Sequence, residues 1–263
     1  LIYAFSNLSI GQIEQAKQVL EKIKSTLKED KERAQQIKVI DAFIVMAAAV
    51  LLHLPLPEDI PSMQEFIPIL PFGLRSFALY VEAHYLYLQK NYEKSIGIIE
   101  AALAMGANQY PIPAIYLHLA AVMDYMSLKQ LEKAENHLLF AWKLARSDDL
   151  IEGFGEHHGL LGGMLEAVIK PKWPEDFKRS ISITYEFSAG WRKIHNLVTG
   201  HEVADDLSTT EFAVAMLAAR GWTNSEIAKH LNISANTVKT HISQAIKKLH
   251  VENRKDLKQY MLK

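Results

Sequence analysis

The sequence predicts an all-α protein, in which an α-α superhelical array of paired helices is followed by a small helix-turn-helix domain. Three observations favour this class. Apolar residues recur at helical spacing along most of the chain, two neighbouring helix pairs share one residue pattern, and the stretch from Gly221 to Leu249 has the order helix, turn, helix. We expect residues 1–199 to form the helical domain, residues 200–206 a linker and residues 207–263 the second domain.

The first 71 residues combine two predicted helices with a proline-rich connection. An amphipathic helix is predicted from Ser9 to Leu27, and the stretch from Ala34 to His53 is apolar nearly all round, as in a buried helix. Membrane insertion is the alternative, but the uncharged run is shorter than the roughly 20 residues that a spanning helix needs. Five of the nine prolines follow, so only a short helix is expected at Ser62 to Leu70.

Two similar helix pairs are predicted next, Gly73 to Gln89 with Tyr92 to Met105, and Pro113 to Ser127 with Leu131 to Arg146. Shifting the sequence by 39 residues aligns small residues with small ones and bulky residues with bulky ones. Such a unit cannot bury its apolar face alone, so neighbouring units must stack into a solenoid. The pattern resembles tetratricopeptide repeats, although their usual period is about 34 residues.

Further helices are predicted before the linker, at Asp149 to Ile169, Pro174 to Phe187 and Ala189 to Val198. Five glycines lower the helix propensity of the first, so either two backbones approach closely there or the segment is bent. The same segment contains the only cluster that suggests a metal site. Adjacent histidines on a helix diverge by about 100°, so both cannot share a face with the acids, and we predict no metal site. The cluster consists of Glu152, Glu156, His157 and His158.

The stretch from Gly221 to Leu249 predicts two short helices. Thr223 stands three residues before Glu226, the reciprocal pair that satisfies backbone N–H groups at a helix start. Asn232 tolerates the left-handed backbone of a tight turn, and Ser234 suits the start of the second helix. The apolar residues of that helix recur at the spacing of one buried face: Val238, Ile242, Ala245, Ile246 and Leu249.

The opposite face of the second helix carries small polar and cationic residues and no acid. Lysine can donate to guanine, and serine, threonine and asparagine can reach a base or a phosphate, so the strip suits a DNA major groove. A plain solvated face is the alternative, but turn, cap and strip occur together in helix-turn-helix order. The strip consists of Asn236, Lys239, Thr240, Ser243 and Lys247.

The region from about Leu207 to Leu262 resembles the DNA-binding domain of LuxR-type transcriptional regulators. The resemblance rests on many residues at fixed spacing, among them Leu207, Glu211, Gly221, Thr223, Asn224, Glu226, Ile227, Leu231, Ser234, Thr237, Val238, Lys239, Ile242, Leu249, Val251 and Arg254. Thr210 departs from it, since the family often has arginine there.

This resemblance implies roles for individual residues. Lys239, Thr240 and Ser243 would contact base edges. The terminal helix, which Asn253 can cap, commonly helps two such domains pair on DNA, so a homodimer on an inverted repeat is expected; packing of that helix on its own domain is the alternative. Contacts to phosphates, or orienting roles, are implied for Asn224, Thr237, His241, Lys247, Lys248 and Arg254.

The inner helices of the predicted array carry clustered aromatic and polar side chains. A concave groove lined by such groups could bind a peptide or a small effector, whereas packing between repeats is the alternative for each of them. The residues are His84, Tyr85, Tyr87, Tyr116, His118 and Tyr125.

Composition limits the function. Residues 207–263 carry nine Lys or Arg against four Asp or Glu, a net of +5, whereas the preceding 206 residues carry 20 basic and 26 acidic ones, a net of −6. The C-terminal part therefore suits a polyanion. The sequence lacks cysteine and resembles no signal peptide, so we expect a reducing cytoplasm. Because the chain begins at Leu1, we expect it to be a piece of a longer protein.

These observations predict a sequence-specific transcriptional regulator that binds double-stranded DNA and whose helical domain senses an effector or a partner protein. Phosphate-loop, dinucleotide, nucleophile-elbow and zinc-protease motifs do not occur, so we expect neither an enzyme nor a cofactor. Two alternatives stay open. The protein could be a scaffold for peptide partners that is anchored to DNA, or the output half of a larger ATP-dependent regulator.

Overall fold

A computed structural model describes residues 34–56, 58, 60–70, 72–199 and 207–261, with scattered positions between residues 7 and 25. Within those residues all regular structure is helical, which confirms the predicted all-α class. The helix predicted from Ser9 to Leu27 lies largely outside the described residues, and the linker 200–206 lies wholly outside them. Among the described helices, none combines the length and the apolar character needed to cross a membrane.

The α-helices are numbered in chain order over the described residues. They are α1 (Ala34–Leu51), α2 (Met63–Phe66), α3 (Phe72–Leu88), α4 (Tyr92–Ala104), α5 (Pro111–Ser127), α6 (Leu131–Ser147), α7 (Glu152–Glu156), α8 (Lys170–Lys172), α9 (Pro174–Thr199), α10 (Thr209–Ala219), α11 (Asn224–Leu231), α12 (Ala235–Lys248) and α13 (Asp256–Met261). Short 3-10 turns occur at Ile67–Ile69 and Ala107–Gln109, and a π-helical turn at Leu165–Ile169.

The predicted repeat of helix pairs is present. Helices α3 and α5 begin at Phe72 and Pro111, and α4 and α6 begin at Tyr92 and Leu131, so both pairs repeat after 39 residues. Within the array α3 packs against α4, α5 packs against α6, and α5 also contacts both helices of the first pair. This arrangement gives the stacked core that the sequence pattern predicts. The closer likeness to tetratricopeptide geometry stays a prediction.

The turns inside the two pairs have the same backbone conformation. Lys90 and Lys129 are left-handed, with φ of 60° and 58°. The N–H of Asn91 donates to Leu86 O at 2.9 Å, and the N–H of Gln130 donates to Tyr125 O at 2.8 Å. A left-handed residue followed by this bond is a Schellman motif, which ends a helix. Because the two pairs are equivalent and stacked, their turns lie at the same end of the array.

A buried polar contact joins the two pairs. Ser95 on α4 and Asp124 on α5 are both fully buried. The Ser95 hydroxyl lies 2.9 Å from Ala83 O and 2.6 Å from Asp124 Oδ2, but it has one proton to donate. Burial raises the pKa of Asp124 to about 8, despite the opposing effects of Ser95 and Arg220. A protonated Asp124 can donate to Ser95 while Ser95 donates to Ala83 O, which satisfies the Ser95 hydroxyl at neutral pH, whereas Asp124 Oδ1 is buried without a partner.

The helix predicted from Asp149 to Ile169 is wrong as a single element. The segment contains the short α7, a series of turns and then the π-helical turn. Gly162 and Gly163 have φ of 60° and 75°, which a right-handed helix excludes. A Cβ on Gly155 would lie 2.5 Å from Ile183 Cγ2 on α9. The segment is therefore bent and also closely packed.

The two helices predicted at Pro174 to Phe187 and Ala189 to Val198 are one helix, α9. The Ser188 hydroxyl donates to Thr184 O at 2.6 Å, the back-bond that a serine can make inside a helix. Serine and glycine lower helix propensity without ending a helix, so tertiary packing decides the outcome here. α9 packs along α7 and thereby covers the glycine-containing segment.

The last four helices pack together. Helix α10 contacts α12 and α13, and α11 contacts α12. Their shared core contains fully buried Val214, Leu217, Ile227, Val238 and Leu257. Residues 207–261 are called the C-terminal domain below, and residues 34–199 the helical array.

Candidate nucleic-acid interface

Local hydrogen bonds define both helices of the helix-turn-helix. At the start of α11 the N–H of Glu226 donates to Thr223 Oγ1 at 3.2 Å, and the N–H of Thr223 donates to Glu226 Oε2 at 2.6 Å. The predicted capping box is confirmed. Asn232 ends α11 in the left-handed region with φ of 53°, and Ser234 Oγ accepts from the N–H of Thr237 at 3.0 Å where α12 begins. The turn is therefore defined by the left-handed backbone of Asn232 and the capping side chain of Ser234.

One face of α12 is buried in the C-terminal domain. Val238 and Ala245 are fully buried, and Ile242 and Leu249 are 6% exposed. Ile246 is half-buried and packs against the same core. These are the positions predicted from the apolar spacing. Their burial fixes the rotation of α12 about its axis and so determines which residues face outward.

The outward face of α12 is polar and cationic. Asn236, Thr237, Lys239, Thr240, Ser243, Gln244 and Lys247 are all exposed. Five of them line one shallow surface depression: Lys239, Thr240, Ser243, Gln244 and Lys247. Sequence reasoning missed Gln244, whose amide can donate and accept like that of Asn236. The row offers donors and acceptors over more than two helical turns, and such groups can bond to base edges and phosphates.

Three of the predicted phosphate-contact residues bond within the protein. The Arg254 guanidinium donates to Asn224 Oδ1 and to Trp222 O, so it ties the segment before α13 to the start of α11. Lys248 Nζ donates to Glu211 Oε2 at 2.8 Å and joins α12 to α10. These contacts assign Asn224, Lys248 and Arg254 an orienting role inside the domain.

Two further predicted residues of α12 differ in their contacts. Thr237 Oγ1 lies 2.8 Å from Ser234 Oγ, within the cap of α12. His241 is half-buried, and its Nδ1 has no hydrogen-bond partner. Together with the exposed row, the nine predicted DNA residues all lie on α11, α12 or the segment before α13.

The six residues predicted to line a groove do not share one open surface. His84, Tyr87, His118 and Tyr125 are buried, whereas Tyr85 and Tyr116 are half-buried. For the four buried side chains the structure corresponds to the alternative interpretation, packing between helices. Each of the four makes polar contacts that replace water, as buried polar groups require.

His84 and Tyr116 belong to one aromatic cluster with Tyr80 and His157. His157 Nδ1–H donates to Gly153 O at 2.8 Å, so its Nε2 accepts the Tyr80 hydroxyl proton at 2.8 Å. The Tyr80 oxygen must then accept from His84 Nδ1–H at 3.1 Å, which leaves His84 Nε2 buried without a partner. Burial lowers the pKa of His84 well below its usual value, so it stays neutral.

His118 and Tyr125 belong to a second cluster, at the surface between α4, α5 and α6. His118 Nε2–H donates to Asn108 Oδ1 at 3.2 Å, so its Nδ1 accepts from His137 Nδ1–H at 2.7 Å. Burial lowers the pKa of His118 to about 4. The Tyr125 hydroxyl donates to Glu100 Oε1 at 3.1 Å. His118 and Tyr125 therefore both bond to side chains of the array.

The histidines of the suspected metal cluster point in different directions. His157 bonds Tyr80 and Gly153 as described, whereas His158 Nε2 lies 2.7 Å from Glu166 Oε1 on the π-helical turn. Glu156 instead accepts from the Tyr116 hydroxyl at 2.7 Å. Among the described residues, no group of three or more His, Asp or Glu side chains is placed to hold a metal ion.

The C-terminal domain also contacts the helical array, on a surface separate from the exposed row. Arg220 Nη2 donates to Tyr87 OH at 2.7 Å and to Leu160 O at 2.6 Å. His230 Nε2–H donates to Gly162 O at 3.1 Å, and Lys129 Nζ donates to Gly221 O at 3.1 Å. Sequence reasoning missed this contact, although the predicted close approach at the glycines was its signal.

Comparison with known proteins agrees with the C-terminal geometry. Residues 205–261 match the family model described as bacterial regulatory proteins, luxR family. The chain is 28% identical over 118 residues to the response regulator protein VraR of Staphylococcus epidermidis, which covers 43% of this chain and 56% of VraR. It is 45% identical over 51 residues to the two-component response regulator PprB of Pseudomonas aeruginosa, covering 19% of this chain and 18% of PprB.

VraR of Staphylococcus aureus is 40% identical over 53 residues, which cover 20% of this chain and 25% of that protein. The chain thus spans about half the length, or less, of the curated relatives it matches. No solved structure matches it significantly. The resemblance predicted from Leu207 onward is confirmed for the C-terminal domain.

Proposed function

We propose, from the luxR-type helix-turn-helix domain at residues 205–261, that the chain is a sequence-specific, DNA-binding transcriptional regulator. The proposal assigns it no catalytic activity and places it in the cytoplasm, where the DNA of a bacterium lies. Helix α12 would enter the major groove, with Lys239, Thr240 and Ser243 at base edges. The nearby Thr237 and Lys247 would contact phosphates.

One observation carries the proposal. The outward face of α12 is a row of exposed polar and cationic side chains without an acid, on a helix whose opposite face is buried. A helix fixed in this way presents its row without rearrangement, so little ordering free energy opposes DNA binding. The net charge of +5 on residues 207–263 adds an attraction to DNA phosphates that does not depend on the DNA sequence.

Substitution of Lys239 tests the base-reading role. Lys239→Ala should weaken binding to the site that the chain selects from a random DNA pool by roughly 1–3 kcal/mol, because alanine cannot donate to a base edge. Binding to random DNA should change much less, since phosphate contacts dominate there. Fluorescence anisotropy on the two duplexes measures both affinities.

Lys143→Ala is the matched control for that experiment. Lys143 is an exposed lysine on α6, outside the C-terminal domain, so its substitution removes the same charge without a groove contact. The affinity of the Lys143→Ala variant for both duplexes should equal that of the unaltered chain. Equal losses of affinity on both duplexes for Lys239→Ala would reduce Lys239 to a phosphate contact.

The helical array would act as the sensing part, binding a small effector or a partner protein. The direct contact between the array and the C-terminal domain through Arg220, His230 and Lys129 supports this role, because a change in the array can reach the DNA-binding domain. A sensor and a scaffold differ in one respect. By linkage, a sensed ligand must change DNA affinity, whereas a scaffolded partner can bind without changing it.

Part of the surface of α13 remains accessible for a homodimer contact. Leu257 of α13 is fully buried against the domain, whereas Tyr260 and Met261 are half-buried. Packing within the domain therefore uses one side of α13, and its partly exposed side is the surface that we propose for a homodimer on DNA. Analytical ultracentrifugation with a duplex that carries an inverted repeat would distinguish one bound copy from two.

A further inference from the structure

The turn ends of the two helix pairs carry a repeated pattern of lysines. Lys90 is the left-handed residue of the first turn, and Lys94 follows in the first turn of α4. Lys129 and Lys133 stand 39 residues later, in the equivalent places of the second pair. All four are exposed. Glu93 and Glu132 repeat with them, and Glu135 follows at the second end, so the net positive charge of the pattern lies at the first end, although residues 1–206 have a net charge of −6.

These turn ends lie at the junction with the C-terminal domain. Tyr87, in the last turn of α3, accepts from Arg220 at 2.7 Å. Lys129, in the second turn, donates to Gly221 O at 3.1 Å and to Glu226 Oε1 at 3.2 Å. Two consecutive residues of the C-terminal domain therefore contact the two ends: Arg220 contacts the first and Gly221 the second.

The same contacts place Lys129, and with it the second turn end, beside the start of α11. Glu226, which pairs with Lys129, is the residue that caps the N–H of Thr223 at 2.6 Å. In helix-turn-helix complexes the first helix crosses the phosphate backbone while the second enters the groove. A DNA backbone that passes the start of α11 would continue past the turn ends of the array.

We propose that the two turn ends form a second phosphate-binding surface, which contacts the DNA backbone flanking the site that α12 reads. The proposal rests on the DNA-binding function proposed above. Lys90 and Lys94 would make the main contacts, because Lys129 is already paired with Glu226. Lys133 lies over the Tyr125 ring at 5.2 Å, which holds its ammonium group at the surface. The partner is the backbone of DNA, so these contacts carry affinity without sequence preference.

The test compares two lengths of DNA. One duplex of about 20 base pairs carries only the site that the chain selects from a random pool, and one of about 40 base pairs carries the same site with flanks on both sides. The double variant Lys90→Gln, Lys94→Gln is titrated against both at several salt concentrations. Removing one lysine–phosphate pair should reduce the magnitude of the negative slope of log affinity against log salt by about 0.9, so a reduction of about 1.8 is expected for the double variant on the long duplex.

The matched control is Lys143→Gln with Lys172→Gln. Both residues are exposed. Trp173, next to Lys172, contacts Trp142 and Arg146, so this pair lies towards the opposite end of α6. The control removes the same net charge and should keep the unaltered slope on both duplexes. The test variant should keep that slope on the short duplex.

Two results would overturn the inference while leaving the proposed function intact. On the long duplex, the slope of the test variant could equal that of the control. Alternatively, the magnitude of its slope could decrease by the same amount on both duplexes, which would place Lys90 and Lys94 inside the site. Failure of the unaltered chain to bind any duplex would instead contradict the DNA-binding function itself.

Discussion

Lys247 and Lys248 are neighbours on α12 with different surroundings. Lys247 is exposed, whereas Lys248 pairs with Glu211 at 2.8 Å, and the Glu211 side chain is 7% exposed. Burial raises the pKa of Glu211, but hydrogen bonds from Lys248 and Ser208 outweigh it and lower the pKa overall. The carboxylate is therefore charged in the folded domain and depends on Lys248 for compensation.

Lys248→Ala should lower the free energy of unfolding by roughly 1–3 kcal/mol, because it leaves a buried carboxylate without its cationic partner and with only the bonds to Ser208. Lys247→Ala, one residue earlier, should change it by less than about 0.5 kcal/mol. Urea denaturation followed by circular dichroism compares the two. Equal stability of the two variants would mean that Glu211 finds another partner. Any decrease in DNA binding by Lys248→Ala must be corrected for the unfolded fraction.

Asp124 gives the helical array a dependence on pH. Its pKa is about 8 in the folded chain, against 3.8 for an ordinary aspartate, so folding takes up a proton between these values. This contribution to stability is complete below about pH 4 and is lost as the pH rises towards about 8. The loss amounts to at most about 1.4 kcal/mol for each pH unit.

Asp124→Asn removes this titration and keeps the shape of the protonated carboxyl, since its amide can donate to Ser95 Oγ. The free energy of unfolding of the unaltered chain, relative to that of Asp124→Asn, should therefore fall between about pH 5.5 and about pH 7.5. Urea titrations at the two pH values measure the difference. Parallel pH profiles for the two proteins would show that Asp124 is ionised in the folded state.

At the scale of the helix, the elements that sequence predicts well are those with local signals. The boundaries of α11 and α12 follow from local signals. Thr223 and Ser234 each accept from the N–H three residues later, and Asn232 has the left-handed backbone that ends α11. The helix pairs of the array are equally well predicted, because their apolar spacing and their period are properties of the sequence.

The elements predicted poorly are those decided by distant contacts. The segment from Gly153 to Gly163 contains enough helix-compatible residues for one helix, but its conformation follows the side chains packed against it from α9 and the C-terminal domain. Residue type also says little about exposure. Tyr85 and Tyr125 both lie on the first helix of their pairs, and only the structure shows that Tyr125 is buried and Tyr85 half-buried.

At the scale of the whole molecule, glycines of the helical array allow the C-terminal domain to pack closely against it. A Cβ on Gly162 would lie 2.5 Å from Arg220 Nη1, and one on Gly163 would lie 2.6 Å from Leu231 Cδ2. A Cβ on Gly159 would overlap the ring of Phe212. Phe212, Arg220 and Leu231 all belong to the C-terminal domain, so this glycine segment is its docking surface on the array.

Gly159→Ala should weaken this docking by about 1–3 kcal/mol, the usual cost of one extra methyl group in a packed interface. Amide hydrogen exchange along α10 and α11 should speed up as the domains separate more often. Gly97→Ala is the matched control, because Gly97 is exposed and a Cβ there meets nothing within 4 Å. Its exchange should match that of the unaltered chain.

The double variant Gly159→Ala, Phe212→Leu separates docking from local damage. Leucine lacks the ring atoms that the new methyl group would overlap, so the double variant should recover much of the slow exchange. Exchange that stays fast in the double variant would mean that Gly159 is needed for its own backbone rather than for its neighbour.

The fit between these glycines and the C-terminal domain also limits how the protein can be rebuilt. A chimera with a different C-terminal domain could have the same helix-turn-helix. That domain would pack against the array only if its side chains at positions 212, 220 and 231 fitted the glycine segment. The exposed row of α12 and the docking surface consist of different residues of one small domain. Its sequence must therefore maintain both surfaces at once, and the two parts are not freely interchangeable modules.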